Sequence, residues 1–147
     1  MNNLLNTAFT HLDDLLRFVA LLQLGLAGLS FFLPRIMKWQ PEIAGMSLLV
    51  RDVFTIHSWF ISITLIIWGV LTWQFAGEMA HAPSELARWL CGAIGLFWGI
   101  RCVLQWVHYS PAHWRGILSR TIMHWTLFVG YAAWTTVYFM AAFGRIK

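Results

Sequence analysis

Charged residues are scarce in this chain. They make up 11% of its 147 residues, whereas a soluble domain carries about 25%. The hydrophobic share is 59% and the mean hydropathy is +0.65. A chain this short cannot bury so much apolar surface inside one water-soluble core. The composition therefore excludes a soluble globular domain and predicts that lipid covers much of the surface.

The short motifs of common catalytic sites are missing as well. The sequence contains no serine elbow, HExxH, CxxC or glycine-rich phosphate loop, which weighs against an enzyme. The net charge is +4, but the basic residues are scattered and form no stripe. We therefore expect no nucleic-acid partner and interpret the basic residues as anchors to anionic lipid headgroups. The two cysteines, Cys91 and Cys102, would be ~16 Å apart along a helix, which is too far for a disulfide.

Four long apolar runs stand out instead, at residues 15–33, 53–75, 86–106 and 121–143. Each is close to the ~20 residues that cross a bilayer as a helix. Backbone groups in hydrocarbon must be satisfied within the segment, which favours helices. We therefore predict an all-α, multi-pass membrane protein. Residues 1–147 would form a single four-helix up-down transmembrane bundle, preceded by an amphipathic N-terminal segment.

Several residues predict where these helices begin and end. Pro34 is expected to end the first span, and Ser84 is the candidate N-cap of the third. Ser110, with Pro111 at the first helical position, is the candidate start of the fourth helix. The connection at 34–52 is long enough to hold a short surface helix.

Most histidines fall on one side of the predicted bundle. The ends of odd spans and the starts of even spans meet there, and we call it the histidine side. It carries Arg35, Lys38, Arg51, Asp52, His57, His108, His113, Arg115, Arg120 and His124. Leaving Arg101 aside, five of the nine basic residues that flank spans lie there. The positive-inside rule then favours a cytoplasmic location for this side, and we expect the protein in the bacterial inner membrane.

Polar residues recur at helical spacing in the third run. Arg101, Gln105 and His108 are four and three residues apart, which places them on one side of a helix. A charge near the bilayer centre costs ~2.5–3.5 kcal/mol on insertion scales. We therefore expect the guanidinium to reach into an internal polar cavity. Asp52, at the start of the second span on the same side, is its predicted partner.

Two histidines belong to the same predicted cavity. His57 and His124 each lie about one turn inside their spans, at similar depths on the histidine side. The two imidazoles are therefore predicted to face each other across the bundle. Tyr131 continues the polar track of the fourth helix from His124 toward the far side.

We interpret the small and hydrogen-bonding residues within the spans as residues that serve packing between helices. Gln23, Ser58, Ser62 and Thr135 are expected to form hydrogen bonds between helices. Gly25 and Gly28 are expected to let the first helix approach a neighbour closely.

The candidate site residues are His57, His108, His124, Arg101, Gln105, Asp52 and Tyr131. They leave several functions open. The first is an accessory or assembly protein whose polar cluster specifies packing. The second is a membrane redox subunit, in which His57 and His124 ligate haem b, or bind a transition metal together with His108. This arrangement resembles four-helix b-type cytochrome subunits in architecture. The third is a small transporter or proton relay, and the fourth is a lipid-directed enzyme. The expected partners are the lipid bilayer and either further copies of the chain or a larger membrane complex.

Overall fold

A computed structural model describes residues 9–36, 38–108, 110, 116 and 118–144 of the protein. Within these residues the chain is helical and contains no β-strand. The helices are α1 (Leu12–Ile36), α2 (Gln40–Ala44), α3 (Leu48–His81), α4 (Glu85–Val107) and α5 (Leu118–Phe143). The predicted all-α class is confirmed, and α2 is the short helix expected after the first span.

Four of these helices are long and apolar enough to cross a membrane, as predicted. α1, α3, α4 and α5 have 25, 34, 23 and 26 residues, and about 20 residues cross the hydrocarbon core. Between 17% and 28% of the apolar window in each helix is buried inside the chain. Most of their apolar side chains therefore face outward, which is compatible with contact to a lipid bilayer.

The helix ends differ from the predicted ends by a few residues. α1 continues through Pro34 to Ile36, although we expected the proline to end it. Proline removes a single backbone N–H, and in the last turn few later hydrogen bonds are affected. The chain closes this turn with the Trp39 N–H, which donates to the Pro34 carbonyl at 3.0 Å.

The helix α3 bends at Phe75, where the predicted second span ends. The backbone of this residue leaves helical geometry, with φ −107° and ψ 15°. Gly77 follows two positions later, and glycine weakens a helix by about 1 kcal/mol relative to alanine. The bend therefore falls where the sequence supports a helix least.

The start of α4 matches its prediction. The Ser84 hydroxyl oxygen accepts a hydrogen bond from the Ala87 N–H at 3.2 Å. The predicted start of the last helix at Ser110 and Pro111 depends on residues 111–115, which lie outside the described residues together with His113 and Arg115. Most of the predicted amphipathic N-terminal segment, residues 1–8, also lies outside the described residues.

Backbone contacts divide the chain into two compact units. One comprises Met1–Leu16 and Ala76–Lys147, and the other comprises Arg17–Phe75. In the Arg17–Phe75 unit, α1 and α3 meet at Gly69. A Cβ atom there would lie 2.8 Å from Leu24 Cγ, so glycine permits this close approach. The single domain predicted over residues 1–147 stays a prediction.

In the other unit, α4 and α5 pack along their length as an antiparallel pair, which we call the hairpin. A Cβ atom at Gly95 would lie 2.8 Å from Phe139 Cδ1. One turn later, a Cβ atom at Gly99 would lie 3.4 Å from Thr135 Cγ2. Gly95 and Gly99 form a GxxxG pattern, which lets transmembrane helices approach closely.

The packing interpretation of the smaller residues requires correction. Gly25 and Gly28 are exposed, and no atom of the described chain lies within 4 Å of a Cβ built at either position. The hydroxyls of Ser58, Ser62 and Thr135 donate to carbonyl oxygens four residues earlier on their own helices, at 2.7–3.1 Å. In a helix that carbonyl is always within reach of the hydroxyl, so it competes with any partner on a neighbouring helix.

The substitution Gly95→Ala tests the close approach of α4 and α5. The added methyl overlaps the Phe139 ring, and we expect the free energy of unfolding to fall by about 1–3 kcal/mol. Thermal unfolding in detergent micelles measures this change. The matched control is Gly130→Ala in α5, where a Cβ meets nothing within 4 Å. There the higher helix propensity of alanine should leave stability unchanged or raise it. Equal behaviour of the two variants would contradict the close approach.

Candidate functional site

The face of α4 that packs on α5 repeats every three or four residues. Its buried members are Ala87, Cys91, Ile94, Gly95, Trp98 and Gln105. Arg101 is half-buried and occupies the position between Trp98 and Gln105. His108, which was predicted to share this face, is exposed at the C-cap of α4. Of the three polar residues from which we predicted a cavity, Arg101 and Gln105 thus lie on the inner face of α4.

A buried hydrogen bond joins the two helices. Gln105 Nε2 lies 3.1 Å from His124 Nδ1, and the two residues are 4% and 5% exposed. An amide NH₂ group can only donate, so Nδ1 accepts this bond. Gln105 therefore orients the imidazole of His124.

The other end of the same amide has no such contact. Gln105 Oε1 is buried without a hydrogen-bond partner among the described residues. An unsatisfied buried acceptor of this kind costs about 1–3 kcal/mol. The bond to His124 is therefore the contact that holds the amide in place within the hairpin.

One turn away, Arg101 contacts an aromatic ring. Its guanidinium carbon lies 5.5 Å from the centre of the Tyr131 ring, a distance at which a cation is attracted to the ring face. Tyr131 also stacks on Trp98, with centroids 5.2 Å apart and planes at 23°. Trp98 in turn meets Trp134 edge-on at 4.4 Å. The guanidinium thus lies against an aromatic stack between the two helices.

The remaining candidate residues lie in the other compact unit. Asp52 and His57 belong to Arg17–Phe75, and the side chains of both are exposed. The pairing of Arg101 with Asp52, and the facing of His57 and His124, stay predictions. In the part of the chain that the structure describes, no three His, Cys, Asp or Glu side chains are grouped to hold a metal ion.

Both cysteines are free thiols, as their spacing predicted. Cys102 lies three residues before Gln105, and Phe128 lies four residues after His124. The Cys102 Sγ donates weakly to the Phe128 carbonyl at 3.7 Å. This contact joins α4 to α5 in the same antiparallel register as Gln105 and His124.

Two contacts between a histidine and an aspartate lie at the opposite end of the hairpin unit, and sequence reasoning did not find them. His81 Nε2 lies 3.3 Å from Asp13 Oδ1, and His11 Nδ1 lies 3.6 Å from Asp14 Oδ2. The three-residue spacing of His11 and Asp14 is a helical signal that could have shown the second pair. No local signal shows the first, because its members are far apart in sequence. Both pairs are solvent-accessible, so each contributes little to stability.

Trp98 is the other residue that the sequence analysis missed. It is 1% exposed and forms the centre of the aromatic stack. The spacing that selected Arg101 and Gln105 extends back to it, since it lies three residues before Arg101. Following that spacing along the whole helix would have placed Trp98 on the inner face.

A double-mutant cycle tests the contact between Gln105 and His124. Gln105→Leu or His124→Leu alone leaves a buried polar group without its partner, so each should lower the free energy of unfolding. The double variant should lose less than the sum, with a coupling of about 0.6–2 kcal/mol. Unfolding of the full chain in detergent gives the four values. Gln74→Leu, at an exposed glutamine of α3, is the control and should show no coupling with His124→Leu; additive losses at Gln105 and His124 would refute the contact.

Comparison with known proteins adds no relative. No family model, no curated protein and no solved structure matches this chain. The contacts that suggest a chemical role are therefore those among its own residues. The polar contacts between membrane-length helices described above join Gln105 to His124, Arg101 to Tyr131 and Cys102 to the Phe128 carbonyl.

Proposed function

We propose that this chain is a small membrane accessory or assembly protein. In this proposal, the polar cluster of Arg101, Gln105, His124 and Tyr131 sets the register of α4 against α5. The observation that carries it is the 3.1 Å contact between Gln105 and His124. In this contact, Nδ1 of the His124 imidazole bonds to the Gln105 side chain on the neighbouring helix.

A polar pair of this kind selects one register of two apolar helices. Sliding α5 by one helical turn, about 5.4 Å, would separate the amide from the imidazole and leave both groups facing apolar side chains. Lone polar groups in apolar surroundings are costly. A single buried polar position is the best-attested means of fixing register in helix pairs. The cluster therefore serves the structure of the hairpin.

Three exposed residues of the Arg17–Phe75 unit, His57, Gly25 and Gly28, support the accessory role, whereas Gln23, Ser62 and Thr72 of the same unit are buried. His57 is exposed on α3, and an imidazole facing hydrocarbon is unfavourable. Gly25 and Gly28 are exposed on α1 with nothing beside them in the described chain, and small residues let another helix approach. We therefore assign the partner-binding surface to α1 and α3, with a transmembrane helix of another protein as its occupant.

Site-specific photo-crosslinking in native membranes tests this assignment. A photoreactive phenylalanine analogue at position 28 or 57 should give an adduct with another protein chain. The matched control is position 129 in α5, where valine is 61% exposed, and it should react with lipid alone. Tagged and untagged copies of the chain distinguish a homo-oligomer from a different partner by adduct mass. Lipid adducts alone at all three positions would contradict the accessory role.

An absorption spectrum separates this proposal from the redox alternative. With Gln105 and His124 serving helix packing, we expect the purified protein to show no Soret band in either redox state. Elemental analysis should likewise find no stoichiometric transition metal. A Soret band that is lost in both His57→Ala and His124→Ala would replace the proposal with haem binding by those two residues.

A further inference from the structure

The outward face of α4 forms an apolar band with a tryptophan near each end. Trp89 is 73% exposed and Trp106 is 59% exposed, and every exposed side chain of α4 from Trp89 to Val107 is apolar. Polar residues border the band, since Arg88 precedes Trp89 and His108 follows Val107, and both are exposed. Indole rings favour the boundary between hydrocarbon and headgroups, because their body is apolar and their N–H is polar. The band therefore has the pattern of a helix that crosses hydrocarbon between two polar boundaries.

The two tryptophans set a maximum for the thickness of that hydrocarbon. Trp106 lies seventeen residues after Trp89 in one continuous helix, so their Cα atoms are ~26 Å apart along its axis. Helical side chains lean toward the N-terminus at both positions, so the spacing of the indoles follows the spacing of the Cα atoms. Any tilt of α4 shortens its reach across the membrane. The hydrocarbon core of a typical bilayer is ~30 Å thick, which is more than this helix provides.

The neighbouring helix α5 has aromatic residues at the same two levels. The Trp125 ring lies 5.9 Å from the Trp106 ring, so both helices have a tryptophan at this end. At the opposite end, a Cβ atom at Gly92, three residues after Trp89, would lie 3.9 Å from Phe143 Cζ. Phe143 is 59% exposed and follows Trp125 by eighteen residues, which is ~27 Å along the helix. The hairpin thus has exposed aromatic rings at both ends, at levels that agree between its two helices.

We propose that the hairpin fits a bilayer with a hydrocarbon core of about 26 Å, with Trp89 at one boundary and Trp106 beside Trp125 at the other. A helix longer than the core can tilt or extend past it, whereas lipids must thin around a helix that is too short. At 23 residues, α4 is the shortest of the four candidate spans, so it sets the requirement. The boundary residues lie outside the α1 and α3 surface of the proposed accessory role, so the two proposals are independent.

Thermal unfolding in bilayers of graded thickness tests this fit. The full chain is reconstituted into phosphatidylcholine nanodiscs with hydrocarbon cores of about 20, about 26 and about 32 Å, which bracket the typical thickness. We expect the unfolding temperature to be highest in the intermediate bilayer, because the polar ends of α4 then meet headgroups on both sides. An unfolding temperature that rises continuously to the thickest bilayer, or that does not depend on thickness, would overturn the proposal.

A lengthened apolar band separates the contribution of α4 from that of the other helices. Glu85 and Arg88 are exposed in the first turn of α4, so Glu85→Leu combined with Arg88→Leu extends the band by four residues, ~6 Å. The optimal thickness should increase by about that amount. Ala93→Leu, at an exposed position inside the band, adds apolar volume without length and should leave the optimum unchanged. An optimum that stays the same in the double variant, or that moves equally in Ala93→Leu, would contradict the fit.

Depth-dependent fluorescence quenching locates the two indoles without reference to stability. Trp89→Phe and Trp106→Phe each remove one exposed indole, and the fluorescence lost in each variant belongs to that residue. Lipids brominated near the headgroup should quench this fluorescence more strongly than lipids brominated near the chain end, because both indoles lie at a boundary. Stronger quenching of either indole by the chain-end probe would place it inside the hydrocarbon and overturn the proposal.

Discussion

The hydrogen bond between Gln105 and His124 is the contact that we propose sets the register of the hairpin. Lipid tails are as apolar as leucine, so helices in a membrane gain little from burying apolar side chains against each other. Close packing and polar contacts must supply the specificity instead. Gly95 supplies the first, because its missing side chain lets the Phe139 ring approach. Gln105 and His124 supply the second, with a directional bond that one register of α4 and α5 satisfies.

Each compact unit buries some polar side chains and exposes others; Gln23, Ser62 and Thr72 are buried in the Arg17–Phe75 unit. In the hairpin unit, the amide, the imidazole and the tyrosine ring are buried, and Arg101 lies against that ring. In the Arg17–Phe75 unit, Asp52 and His57 are exposed, while hydroxyls such as that of Ser58 bond to their own helix. A helix that satisfies its own hydroxyls gains no specificity from them. The buried contact of Gln105 with His124 supports the proposed structural role of the hairpin, and the exposed His57 supports the proposed partner surface on the other unit.

The sequence predicts the fold class well because hydrocarbon imposes strong constraints on length and backbone bonding. The four spans and the Ser84 cap follow from those constraints. Helical spacing also places Arg101 and Gln105 on the inner face of α4, but it does not identify their contacts. Those depend on the register of α4 against α5, which is a long-range property of all the contacts between the two helices. The GxxxG pattern was present in the sequence as a signal for that packing, whereas the contact of His81 with Asp13 has no local signal at all.

The ¹⁵N spectrum of histidine-labelled protein in lipid nanodiscs tests the central contact most directly. We expect His124 Nδ1 to accept a hydrogen bond from the Gln105 amide. We also expect Gln105→Leu to shift the His124 signal and to leave that of the exposed His57 unchanged. An imidazole of His124 that does not respond to the loss of Gln105 would show that the two helices do not meet through these residues.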